Sequence, residues 1–251
     1  GRPARFVWPH ANDAREFLCG TNAMTDRRSF GFVFVPLDFD VHDGRQMHTT
    51  LSHELGHTLS LPDLYDFPVY SPDVTARITS DWDMMAGSRD RLPHYTLSNK
   101  MRMGWLQAGQ LKLYNFQGSG LVAENVTLHA SELGAPPAGR FKGIEIRLGD
   151  GWNYYVEYRA EQGGQVSDDL VTDRRIVITD VTSDSFVAPI ARPPILFVHN
   201  DIDGDGPLIG NAADFEERDP GTQLDLKIEV VSSAVDNAVV KVSYGSNGKP
   251  E

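Results

Sequence analysis

Two histidines stand four residues apart in His53-Glu54-Leu55-Gly56-His57-Thr58-Leu59-Ser60-Leu61-Pro62-Asp63, and this spacing constrains the fold more than any other feature. On a helix, residues four apart share one face, a turn above each other, so both imidazoles can reach a single metal ion. Glu54, one step round the helix, stays outside the ligand set but near enough to take a proton from a metal-bound water. A catalytic zinc usually has three protein ligands plus water, so one ligand is still wanted. Asp63, six residues beyond His57, is the candidate, with Asp66 as the fallback if Asp63 points away. The chain must leave the helix and double back to deliver it. Ser60-Leu61-Pro62 is where that happens, because Pro62 cannot continue a helix and disfavours helical geometry at Leu61.

H-E-x-x-H is the pattern of zinc metalloproteases, and Asp63 falls where metzincins carry their third ligand, usually a His. A second stretch adds to this. Asp83-Met84-Met85-Ala86-Gly87-Ser88 places a Met before a small-residue turn some twenty residues on. Alone, a Met pair is core filler; in company with the long zinc motif it fits a Met-turn, the hydrophobic floor beneath a metzincin zinc.

HELGHTLSLPDLYD over residues 53–66 resembles the zinc segment of secreted bacterial metallopeptidases related to immune inhibitor A. Trp82-Asp83-Met84-Met85-Ala86-Gly87 is similar to their Met-turn, and Lys100-Met101-Arg102-Met103-Gly104-Trp105-Leu106 to the K-x-x-x-G-W-L segment that follows it. The resemblance covers roughly residues 46–106. It implies zinc on His53, His57 and Asp63, Glu54 as general base, Met85 as the Met-turn methionine, and an extracellular setting. The chain departs from the family twice. Ser60 stands where the family has Gly at the sharp turn after the helix, and only fifty-two residues precede His53 where relatives carry most of a sheet. A longer parent chain with a further N-terminal segment, a reduced domain, or a partner chain supplying the rest would each account for the second departure.

The 251 residues suffice for one large domain or two modest ones. A formal charge of −12, from 35 acidic and 23 basic residues, argues against nucleic acid as a partner. No apolar run approaches the length of a membrane span. Cys19, the only cysteine, allows no intrachain disulfide and reads as a small buried hydrophobe.

In chain order, a short helix is expected over Ala14–Cys19, capped by Asn12 or Asp13, and a strand over Phe30–Val35. The zinc helix should begin near Arg45 to His48. Leu51, Leu55 and Leu59 recur every fourth residue as an apolar stripe expected to pack in the core. The two histidines lie about 160 degrees from Leu55 at roughly 100 degrees per residue, and so would face a cleft. His48 falls off their face. Leu97–Met103 reads as a helix stopped by Gly104, with Trp105 and Leu106 packing on the core and Lys100 serving structure.

From about Leu111 the texture becomes a succession of strands: 111–116, 121–129, 141–148, 152–158, 175–181, 195–199, 224–231 and 238–244. Short strands between Gly, Pro and Asp turns suggest a β-sandwich. The expected fold is therefore α+β, a metzincin-like zinc-helix region followed by an all-β sandwich. Residues 1–109 would form the catalytic region, 110–245 the sandwich and 246–251 a disordered tail.

Asp201, Asp203 and Asp205, alternating before Gly206, form the start of a calcium loop, in which close-set oxygens meet a hard cation. The closing Glu of a full loop would fall at Ala212, so Glu216, Glu217 or a distant carboxylate would have to substitute; Asp168, Asp169 and Asp180 are weaker candidates. Tyr65, Tyr95 and His94 are candidate helpers for the oxyanion formed during peptide hydrolysis, and spacing does not select among them. The function these features suggest is zinc-dependent endopeptidase action on protein or peptide substrates, with Glu54 activating a zinc-bound water. The alternative is an inactive metallopeptidase-like module that binds a protein or polysaccharide.

Overall fold

Alternation with a period of two governs most of this chain. In the computed structural model the described residues are 10–13, 31–34, 47–59, 61, 64, 82–85, 93–116, 122–148, 152–162, 174–182, 195–198, 208–209, 214–218 and 225–245. They form β1 (His10–Asp13), β2 (Gly31–Phe34), α1 (Met47–Thr58) and α2 (Leu97–Arg102). A short 3-10 turn, Ala108–Gln110, leads into β3 (Leu111–Asn115), β4 (Val122–His129), β5 (Gly143–Arg147), β6 (Trp152–Ala160) and β7 (Arg174–Thr182). Then come β8 (Ile195–Val198), β9 (Leu208–Ile209), β10 (Asp214–Arg218), β11 (Asp225–Ser233) and β12 (Asn237–Gly245). The described residues are thus mostly strand, and no described helix is long and apolar enough to cross a membrane.

β10, β11, β12 and β4 make a four-stranded sheet in that order; β3, β5, β6, β7 and β8 make the second, with β9 also paired to β7. Neighbours are antiparallel except β3 and β5. On β11 and β12, Leu226, Ile228, Val230, Ala238, Val240, Val242 and Tyr244 are buried, while Lys227, Glu229, Lys241 and Ser243 between them are not. This is the pattern of strands with one covered face. That face meets Ile144, Ile146, Val156, Tyr158, Ile176 and Ile178 of the other sheet in one core. The result is a β-sandwich. Phe116 stacks on Tyr244 with ring centroids 3.9 Å apart and closes one part of it.

All eight strands expected from alternation are present, with ends within two residues of those expected. β9 and β10 are additional. β9 has only two residues, and Asp214-Phe215-Glu216-Glu217-Arg218 has no apolar alternation; it is a strand because it pairs with β11. The strand expected over Phe30–Val35 is β2, antiparallel to β1. Asn12 and Asp13, expected as helix caps, lie in β1, and residues 14–19 fall outside the described residues, as do Cys19 and 246–251.

β6 departs from the one-face rule. Tyr154, Val156, Tyr158 and Ala160 point into the sandwich core, but Glu157 and Arg159, on the opposite face, are also buried, at 1% and 0% exposure. What covers them is the segment carrying α2 and the turn at Trp82–Met85. Leu97 of α2 reaches the sheet over Gly143 of β5, where a Cβ would collide with the Leu97 side chain. Tyr155 of β6 packs against Leu61, Leu64 and Met85.

Two expectations about packing are corrected. Leu51, Leu55 and Leu59 do not enter the core: they are 40%, 46% and 46% exposed. The helix turns its other side inward, burying Thr49, Thr50, Glu54 and Gly56, because Met85 and Tyr95 close on Gly56 and both histidines take backbone partners there. Tertiary contacts override the apolar stripe. Trp105 is likewise 56% exposed, touching Tyr95 edge-on at 5.6 Å rather than filling the core. α2 itself ends as expected, with Gly104 at φ 70°.

Candidate metal centre

α1 starts at Met47, within the expected span, and lies against β1 and β2. It closes through Leu59 N–H and Leu61 N–H, which both donate to the Gly56 carbonyl, at 3.0 and 3.1 Å. The second of these bonds reaches five residues back and turns the chain off the helix axis, as in a Schellman ending. The carbonyl of Leu61 is thereby brought to His57, whose Nδ1 lies 2.8 Å from it.

His53 is held in the same manner from another part of the chain. Its Nδ1 lies 3.0 Å from the carbonyl of Met84. A carbonyl oxygen only accepts, so in both rings Nδ1 carries the proton. A neutral imidazole with Nδ1–H has its lone pair on Nε2. Both rings are half-buried, with centroids 4.9 Å apart and planes at 87°. Two half-buried imidazoles, each locked by a carbonyl in the Nε2-basic tautomer, form a donor set suited to zinc.

Beneath them lies Met85, with no solvent exposure. A Cβ on Gly56 would collide with the Met85 sulfur and lie 3.3 Å from a Tyr95 ring carbon. The glycine between the two histidines is therefore what lets the methionine rise under the helix. Tyr95 braces the same helix, its hydroxyl donating to the Ser52 carbonyl at 2.7 Å. Burial, and after it the charge of Asp83, pushes the Tyr95 hydroxyl up to about 12. In this structure Tyr95 thus braces the helix.

The turn under the histidines is organised by Asp83. Its Oδ1 accepts from Met85 N–H at 2.7 Å; its Oδ2 accepts from Thr96 N–H at 2.6 Å and from Asn99 Nδ2 at 3.0 Å. Burial pushes the Asp83 carboxyl up, against the hydrogen bonds and the charge of Arg159, which pull it down. The Met85 carbonyl accepts from Leu64 N–H at 2.8 Å, tying the turn to the segment that follows α1.

From the sandwich side, Arg159 donates through Nη1 to the Trp82 carbonyl at 2.8 Å and through Nη2 to Glu157 Oε1 at 2.6 Å. Glu157 also accepts from Leu97 N–H at 3.2 Å, Lys100 Nζ at 3.3 Å and Ser131 Oγ at 2.7 Å. Burial alone would raise its carboxyl, but Arg159, Lys100 and these hydrogen bonds outweigh burial and hold it at about 2. Lys100 therefore has a structural partner.

The structure brings together His53, His57, Glu54 (buried beside them on α1) and Met85. Asp63, the expected third ligand, lies outside the described residues, as do Asp66, Ser60 and Tyr65. Among the described residues no three His, Cys, Asp or Glu side chains converge as a metal group. Of the calcium candidates, Asp201, Asp203, Asp205, Asp168 and Asp169 also lie outside; Glu216 and Glu217 occupy successive positions of β10, and Asp180 sits in β7 beside a register shift. Sequence reasoning missed Asp83 and the pair Glu157 and Arg159. Asp83 could have been found, since an Asp readily bonds the backbone N–H two residues on, and here that residue is Met85. No family model, curated protein or solved structure matches the chain.

Proposed function

We propose that α1 and the turn at Trp82–Met85 form the centre of a zinc-dependent endopeptidase, metzincin-like in plan, acting on protein or peptide substrates. One observation carries this reading: Nδ1 of both His53 and His57 is engaged by a backbone carbonyl, which leaves the metal-binding lone pair of each ring on Nε2. Histidines four apart on a surface helix have no need of such anchoring. A methionine pressed against the glycine between them supports the same plan.

His53, His57 and, by the resemblance, Asp63 would hold the ion. Zinc bound there would supply a Lewis acid and lower the pKa of its coordinated water to about 7. Glu54 follows His53 directly and is buried; in this reading its carboxylate would take the proton of the attacking water and return it to the leaving amine. Secretion belongs to the same reading.

The test is metal content together with cleavage of an unstructured protein, for wild type and Glu54→Gln. One zinc per chain in both proteins, with cleavage lost in the variant, supports the peptidase. Zinc in both with cleavage by neither favours the metal-bearing binding module. No zinc in wild type overturns the proposal.

A further inference from the structure

We propose that Arg159, contributed by the sandwich, is a positioning residue for the metal centre: it fixes the Trp82–Met85 turn and, through it, the ring of His53. The consequence for zinc rests on the function proposed above; the effect on His53 does not.

Arg159 lies on the face of β6 that alternation would turn outward, yet it has no solvent exposure. A fully buried guanidinium needs acceptors for its fork of donors. It finds one on each side of a junction, Glu157 on its own strand at 2.6 Å and the Trp82 carbonyl seventy-seven residues away at 2.8 Å. Only a planar, two-ended donor serves both at once; an ammonium at the end of a lysine is a single point. An arginine present merely to neutralise Glu157 would have no need of the second arm, because Lys100 already pairs with that carboxylate at 3.3 Å.

The arm ends two residues before Met84, whose carbonyl accepts from His53 Nδ1–H at 3.0 Å. The turn between those two points is short and its far end is clamped by Asp83. A shift of Trp82 is therefore passed to Met84, and a hydrogen bond of this length does not survive a displacement of about 1 Å. Glu157 makes the anchor rigid, since four donors from α2, from Ser131 and from Arg159 converge on it. The metal centre is thus oriented from the sandwich by a chain of contacts from Glu157 to Arg159, Trp82, Met84 and His53.

The experiment compares the full chain with Arg159→Lys, Arg159→Met and, as a control, Val240→Ala, which opens a cavity in the core between the two sheets. Two readouts are taken: the His53 Nδ1–H signal in metal-free protein by nitrogen-15 NMR, and zinc affinity by competition with a chelator. Circular dichroism establishes that each variant is folded. Expected is loss or exchange broadening of the His53 Nδ1–H signal in both Arg159 variants. Zinc binding should be about ten- to a hundredfold weaker, the usual effect of removing a residue that orients a ligand. Val240→Ala should lower thermal stability and move neither readout. Should Arg159→Met fail to fold, Arg159→Lys gives the answer, because it keeps the charge beside Glu157 and loses the two-ended fork. If the folded Arg159 variants keep both the wild-type His53 signal and wild-type zinc affinity, the proposal is overturned. If wild type takes up no zinc but the His53 signal still disappears in Arg159→Lys, the positioning role stands and the zinc reading fails.

Discussion

The sulfur of Met85 rests against Gly56, the residue just before the second histidine of the H-E-x-x-H turn, in a space that a single Cβ would fill. Helix and floor are fitted to each other at this one point, and Gly56→Ala tests how closely. Alanine favours the helix over glycine by about 1 kcal/mol, while overpacking a well-filled site costs about 1–3 kcal/mol. The methionine end is flexible, so the low end applies, and net stability should change by less than about 1 kcal/mol. On the proposed reading zinc affinity should fall nonetheless, since a displaced Met85 carries the Met84 carbonyl away from His53. Urea denaturation beside chelator competition measures both; an unchanged zinc affinity would show that the floor does not orient the ligand.

Asp83→Asn should be costly. The carboxylate accepts three hydrogen bonds, two of them on one oxygen, and an amide offers one accepting oxygen and an NH2 that opposes the remaining donors. A loss of about 1–3 kcal/mol is expected from leaving a buried backbone donor facing another donor. Thermal unfolding gives the value, and a loss under about 1 kcal/mol would mean the turn is held by something else.

Stability should fall on both sides of a mildly acidic optimum. Glu157 has its folded pKa depressed from 4.5 to about 2, so its contribution is complete above about pH 5 and disappears as pH falls toward 2. Glu132 is shifted the other way, from 4.5 to about 7, chiefly by burial. Its Oε2 accepts from Ala160 N–H at 3.3 Å, and Oε1 has no hydrogen-bond partner among the described residues. Its protonated form is the one the fold accepts, so stability is full below 4.5 and is lost as pH rises through 7. Glu132→Gln should flatten that alkaline limb, a gain on the order of 3 kcal/mol at pH 8. Denaturation midpoints from pH 3 to 8 check both arms; a parallel decline in wild type and Glu132→Gln above pH 6 would refute the assignment.

Ile228→Ala should cost about 2–5 kcal/mol, because Ile228 is fully buried between the two sheets. Its partner across the strand pair, Val242, should behave alike. On the proposed reading, cleavage at temperatures well below unfolding should stay at the wild-type level, since both residues belong to the sandwich core and not to the cluster around Met85.

The sandwich was legible in the sequence because strands such as Leu226-Lys227-Ile228-Glu229-Val230 write their buried face directly into alternation. The helix carrying His53 and His57 was legible too, in position, but not in orientation. Leu51, Leu55 and Leu59 promised an apolar inner face, and contacts distant in sequence, from Met85 and Tyr95, turned the helix the other way. Glu157 and Arg159 were hidden for a related reason. A charged pair at alternate strand positions reads as a solvated face, and only the approach of Trp82 and Leu97 from another part of the chain makes it interior.

That interior pair also bears on how such a chain could be rearranged over evolutionary time. A β-sandwich joined by one linker can be lost, duplicated or swapped among unrelated proteins with little consequence. Here the sandwich contributes the guanidinium that meets Trp82 and the carboxylate that meets the start of α2. Separation would strand an ion pair on one side and take from the other the partners of the Trp82 carbonyl and the Leu97 N–H. The two halves should therefore be inherited together.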